Sequence, residues 1–147
     1  MIGIVIVSAV IAALIWNHRQ GKLNKRLFFA ELRRLNHDYG TRFPTDEGGM
    51  DLILSNGSFS ETIVFDPSTK RLCLIAGTRR HAELLDFSYI RRWQLKWTEK
   101  SQNGGLSYQN VHFDFSTNDI RRPLLRISAR DKTHGDIWNS RLAVLLT

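Results

Sequence analysis

"ETIVFDPSTKRLCLI", residues 61–75, decides how this chain is read. Thr62 to Phe65 is a β-branched and aromatic run, and Arg71 to Ile75 is a second one. Between them stands Asp66-Pro67-Ser68-Thr69. Proline at the second turn position presets φ, and aspartate at the first accepts nearby backbone N–H bonds, so these four residues spell a type I turn. Two short runs of high strand propensity joined by such a turn predict an antiparallel hairpin.

The same period of two continues on either side. Upstream, "MDLILS" (50–55) reads as a short strand. Downstream, "ELLDFSYI" (83–90) is a short apolar stretch leading into "RRWQLKW" (91–97), where Trp93, Leu95 and Trp97 alternate with Arg92, Gln94 and Lys96. Ser101 to Gly105 is a strong turn signal with Asn103-Gly104 at its centre. Val111, Phe113 and Phe115 then alternate with His112 and Asp114, and Leu125, Ile127 and Ala129 mark a further strand. The last element changes period. Ile137, Trp138, Leu142 and Leu145 or Leu146 recur at helical spacing behind Asp131 or Thr133 as N-cap. Residues 51–147 are therefore expected to form six or seven short antiparallel strands closed by a C-terminal amphipathic helix.

That order resembles pleckstrin-homology-like (PH-like) domains, in particular those of small membrane-anchored bacterial proteins. The resemblance runs from Asp51 to Leu146 and is carried by "IVFDPSTKRLCLI" and "ELLDFSYIRRWQLKW". It implies a strongly bent antiparallel β-barrel, plugged at one end by a C-terminal helix through Trp138. The basic phosphoinositide-binding loop of eukaryotic members is not recognisable, so no binding residue is carried across. A small β-sandwich or a split-barrel α+β domain would give nearly the same string of elements.

Upstream of the strands, Phe28, Leu32, Leu35 and Tyr39 form a helical stripe within Leu27–Tyr39, and Gly40 is a plausible stop. Glu31, Arg33, Arg34 and Asp38 occupy its other face, a mixture that favours packing on the domain over lying on a bilayer. "TRFPTDEGGM" (41–50) reads as a turn-rich linker. Before the stripe, the fifteen residues from Ile2 to Trp16 carry no charge and one polar side chain, Ser8. As a helix they span roughly 22 Å against a hydrocarbon core of roughly 30 Å, a deficit that snorkelling cations and interfacial Trp16 could make up. The run lacks a preceding basic segment and a small-residue cleavage site, which argues against a signal peptide, and it is apolar all round, which argues against a soluble core helix. The expectation is a transmembrane helix over residues 1–17, followed by a basic juxtamembrane segment, helix and linker over 18–50. Arg19, Lys22, Lys25 and Arg26 follow the apolar run, so the positive-inside rule puts the N-terminus outside an inner (plasma) membrane and the β domain in the cytoplasm. Ser8 with Ala12, and Ala9 with Ala13, have the spacing that lets helices approach closely in lipid.

Charge and motifs narrow the function. The net charge of +7 is uneven: the four early bases precede every acid, leaving 17 of the 21 bases against all 14 acids. Cys73 is the single cysteine, so an intramolecular disulfide is excluded. There is no nucleophile elbow, phosphate-binding loop, zincin motif or zinc-finger spacing, and no cofactor is implied. His112 and Asp114 share a strand face that could orient a base or hold a metal, but an ordinary polar strand face has the same pattern. Arginine doublets are the remaining pattern. Arg79-Arg80 and Arg121-Arg122 fall in loops, where both members can face one way and meet anionic lipid headgroups or an acidic partner. The function expected from the sequence is a non-enzymatic, membrane-anchored binding or scaffold module, engaging a protein partner, a second copy or anionic headgroups. The alternative is a tethered nucleic-acid-binding domain, suggested by the aromatics interleaved with bases in "RRWQLKW".

Overall fold

The computed structural model describes residues 2–56, 61–76 and 81–147, and among the first 23 the side chains of Leu14, Ile15 and Arg19 alone. Helix α1 spans Ile2–Tyr39. A short 3-10 segment, Glu47–Leu52, leads to strands β1 (Ile53–Ser55), β2 (Thr62–Asp66), β3 (Arg71–Ala76) and β4 (His81–Asp86). A 3-10 turn at Phe87–Tyr89 then precedes β5 (Ile90–Gln102), β6 (Gly105–Thr117), β7 (Leu124–Ser128) and helix α2 (Lys132–Leu145).

The hairpin that decides the sequence reading is the centre of the first sheet, whose order is β1-β2-β3-β4. Val64 pairs with Cys73 and Phe65 with Leu72. Its turn is closed by Asp66, which accepts from Ser68 N (3.0 Å), Ser68 Oγ (2.6 Å) and the distant Arg42 N (2.7 Å). Burial disfavours the charge on Asp66, yet these donors and the Thr69 hydroxyl hold its pKa below the usual carboxylate range. Every residue of β2 is buried. The cause is that this sheet is covered on both faces, which removes the in–out alternation of a half-exposed strand. One face carries Ile53, Val64, Cys73 and Ile75 against Phe28, Phe29, Leu32 and Leu35 of α1, with Phe43 completing the layer. The other carries Leu54, Ile63, Phe65, Leu72 and Leu74 against the second sheet and α2.

Asn36 fastens the end of α1 to the chain that leaves it. Its side chain accepts from Phe43 N (2.8 Å) and Thr41 Oγ1 (3.0 Å), and donates to Phe43 O (2.9 Å). Residues 41–50 are thereby pinned rather than free, and Asp46 caps the 3-10 segment through Gly48 N at 2.8 Å.

The second sheet has the order β5-β6-β7. The β5–β6 hairpin turns at Asn103-Gly104, both with positive φ (52° and 76°), the backbone a two-residue hairpin loop of the primed type requires. Its register shifts between Lys96/His112 and Thr98/Gln109, so Asn110 (φ 53°) and Val111 oppose the single residue Trp97. This bulge bends the hairpin; Val111 within it and Phe113 and Phe115 beyond it are buried. Asp131 caps α2 by accepting from His134 N at 2.7 Å. Trp138, wholly buried, lies against Phe65 with ring centroids 5.8 Å apart.

Two expectations are corrected here. The domain is mainly β, but its two antiparallel sheets are open, and among the described residues no ladder joins β4 to β5 or β1 to β7. The 3-10 turn at Phe87–Tyr89 redirects the chain between sheets, and β1 contributes only three residues, so the PH-like barrel does not close. The second correction concerns the N-terminus: among the described residues no helix is long and apolar enough to cross a membrane. The apolar run is too short, and it belongs to one helix with the basic segment and the stripe packed on the β domain. The single-pass inner-membrane placement, with its N-terminus outside and its domain in the cytoplasm, falls with that finding.

Candidate functional site

Three separated pieces of chain surround a cavity of about 370 Å³: Lys25 from α1; Met50 and Asp51 of the 3-10 segment with Ile53 and Ser55 of the adjoining β1; and Arg130, His134, Trp138 and Arg141 from the C-terminal region. The α2 contribution follows from helical geometry. His134, Trp138 and Arg141 stand at steps of four and three, which puts them on one face. Trp138 is anchored in the core, and the Arg141 guanidinium lies over its ring at 5.4 Å, so this arginine is held at the cavity rather than trailing in solvent. Arg130 N–H donates to His134 Nδ1 at 3.3 Å, which leaves Nε2 to carry the proton of the neutral ring. Burial lowers the His134 pKa, and Arg130 and Arg141 lower it further against the opposing charge of Asp131. Lys25 is paired with Glu47. Among the described residues, neither Arg130 nor Arg141 pairs with a carboxylate, and Asp51 is the sole acid in the lining.

The outer face of the second sheet has the opposite character. Gln94, Asp114 and Arg126 stand in one cross-strand row, with Lys96, His112 and Ser128 in the next. Asp114 is only 6% exposed; Arg126 grips it through Nε (2.8 Å) and Nη2 (3.2 Å), and Lys96 reaches it at 2.9 Å. The Arg126 hydrogen bonds outweigh the burial cost, and with Lys96 they hold the Asp114 pKa down to about 2. His112 is brought close, its Nε2 3.8 Å from Asp114 Oδ1, while its Nδ1 lies 2.7 Å from Asn110 O. His112 Nε2 has no hydrogen-bond partner among the described residues. The neighbouring depression, lined by Arg92, Trp93, Lys96, Asp114 and Leu124, has its acid already committed to one of its cations, Lys96, and to Arg126 beside it.

The residues singled out from sequence meet different fates. Arg122 is a structural residue. It donates to both Glu83 oxygens (3.2 and 2.9 Å) and to the Tyr89 hydroxyl, and Glu83 above all holds its pKa up. Arg121 is exposed beside it, with its backbone N–H on Asp119 (2.9 Å), so the doublet does not act as one patch. Arg79 and Arg80 lie outside the described residues, as do the side chains of Ser8, Ala9, Ala12, Ala13, Trp16 and Lys22. Arg19 and Arg26 are exposed, and among the described side chains of the basic cluster Lys25 alone lines the cavity. Within "RRWQLKW", Trp93 packs toward the core and donates to Asn139 (3.0 Å), whereas Trp97 is half-exposed beneath Lys132, 4.1 Å from its ring centre. Sequence reasoning passed over Arg130 and Arg141. The available signal was the His134–Trp138–Arg141 spacing, masked by the apolar stripe of the same helix.

No family model matches this chain, and no match was found among curated proteins or solved structures.

Proposed function

We propose that this chain is a non-enzymatic binding or scaffold module that assembles with further copies of itself through the N-terminal half of α1, each copy presenting its β domain. The observation that supports it is the division of labour along one helix. Phe28, Phe29, Leu32 and Leu35 of α1 are sunk in the domain, whereas Leu14 and Ile15 are 64% and 49% exposed. They belong to a run without charge from Ile2 to Trp16. Burying a side chain of this size stabilises by about 1.5–3 kcal/mol, so an apolar helical segment in water favours a partner of like character. A second copy always supplies one. The cations from Arg19 to Arg26 bound this segment, because like charges resist close approach.

A nucleic-acid role has less support. Arg92, Lys96 and Arg126 share their face with the buried Asp114, and Trp93 packs against the core with its indole N–H committed to Asn139.

Sedimentation equilibrium of the full chain tests the proposal. The expected result is a mass above the 17.0 kDa of one chain, rising with concentration, and returned to one chain by Leu14→Asp combined with Ile15→Asp. A single-chain mass at every concentration would overturn it.

A further inference from the structure

The cavity between α1, β1 and α2 supports a second conclusion, independent of self-association. We infer that it binds a small ligand bearing a phosphate group, held by the guanidinium groups of Arg130 and Arg141 with His134 Nε2–H as a third donor.

Three features carry the inference. The first is charge. Lys25, Arg130 and Arg141 line one cavity against a single lining carboxylate, Asp51. Arginines gathered in one place repel each other, and where Arg34, Arg122 and Arg126 are held in position an acid answers each: Glu31 and Asp38, Glu83, and Asp114. Arg130 and Arg141 have no such answer among the described residues, and an anion in the cavity supplies it. The second is geometry. Donors come from two places in the chain, Arg130 from the approach to α2 and Arg141 two turns along the helix, and both lie near enough to the His134 ring to act on its charge. Forked guanidinium donors from separate directions suit a tetrahedral oxyanion with several acceptor oxygens better than a planar carboxylate, which one arginine can satisfy. The third is preorganisation. Arg141 is stacked on the buried Trp138, and His134 is oriented by the Arg130 backbone N–H, so these two groups lose little side-chain freedom on binding. Met50 and Ile53 give the cavity an apolar wall for the remainder of the ligand. About 370 Å³ lies at the lower end of the range of small-ligand sites, roughly 300–1,000 Å³.

Binding also carries a proton signature. The groups facing His134 are Lys25, Asp51, Arg130, Asp131 and Arg141, and the ring is mainly neutral at pH 7. A bound phosphate adds negative charge beside it and raises its pKa, a change that the ring resonances report directly.

The test is titration of the full chain with inorganic phosphate and with glycerol 3-phosphate, followed by calorimetry and by the ring resonances of His134. Saturable binding of either, with the His134 titration moved to higher pH, is the expected result. Arg130→Gln and Arg141→Gln should each weaken it roughly tenfold or more, the loss of a charge-assisted hydrogen bond, while Arg92→Gln on the far sheet leaves it unchanged. Arg130 is exposed, so its variant keeps the test valid if Arg141→Gln loosens α2. Vesicles of phosphatidylcholine with and without phosphatidic acid identify the source. Capture by the acidic vesicles, competed by glycerol 3-phosphate, supports the site with a lipid headgroup as ligand; soluble binding without capture supports it with a free phosphorylated ligand. Absence of saturable binding to every probe, or binding indifferent to both arginine substitutions, would overturn the inference.

Discussion

Replacing Asp114 with asparagine removes one buried charge and leaves two cations without their partner. The magnitude follows from the site. Asp114 is 6% exposed and its pKa lies at about 2 rather than the ordinary 3.8, chiefly because Arg126 hydrogen-bonds it, with Lys96 assisting against burial. At 1.36 kcal/mol per pKa unit, that difference sets a ceiling of about 2.4 kcal/mol on what the ionised group contributes at neutral pH. Lys96 and Arg126 are themselves 45% and 56% exposed, so solvent screening brings the expected contribution to about 1–1.5 kcal/mol. The sign is fixed by linkage. A carboxylate whose pKa is depressed on folding stabilises fully above about pH 4, and loses that contribution as pH falls toward 2. Urea unfolding of both proteins at pH 7 and at pH 2.5 is the assay. Asp114→Asn should be less stable by about 1–1.5 kcal/mol at pH 7, and the gap should narrow to a few tenths at pH 2.5. A gap of equal size at both pH values would show that Asp114 acts through packing. No gap at pH 7 would show that the ion pairs contribute nothing.

Two further outcomes probe the layer between α1 and the first sheet. Leu32 is wholly buried there, so Leu32→Ala should lower the unfolding free energy by about 2–5 kcal/mol in the same assay; a loss under about 0.5 kcal/mol would mean that α1 is not part of the fold. Burial pushes the Cys73 thiol up to about 12 beneath the same helix. Iodoacetamide at pH 8 should therefore label it only at the rate of unfolding, and prompt labelling of the native protein would contradict the double coverage of β3.

What was legible in the sequence was local chemistry. Asp66-Pro67 between two β-branched runs specifies the β2–β3 turn, Asn103-Gly104 the β5–β6 turn, and Asp131 the start of α2, because each acts on its neighbours alone. That the two sheets stay open instead of closing into a barrel was not legible, since closure depends on hydrogen bonds between strands far apart in the chain. The apolar run misled because it was weighed by itself, whereas Ile2 to Tyr39 forms one helix whose character is mixed. His112 and Asp114 alternate with core residues and so resemble a solvated face. Their burial comes from cross-strand neighbours, Lys96 and Arg126, whose long side chains lie over the row. The cavity was invisible for a related reason: Lys25, Asp51, Arg130 and Arg141 meet only after both sheets and both helices have assembled.

Amide hydrogen exchange along α1, followed as a function of protein concentration, tests most directly whether one helix serves both the fold and assembly. Residues 28–35 are buried in the domain and should show protection that does not change with concentration. Residues 2–20 should exchange rapidly in dilute protein and become protected as it is concentrated, since their cover is a second copy. Equal exchange of residues 2–20 at every concentration would contradict the assembly role of α1.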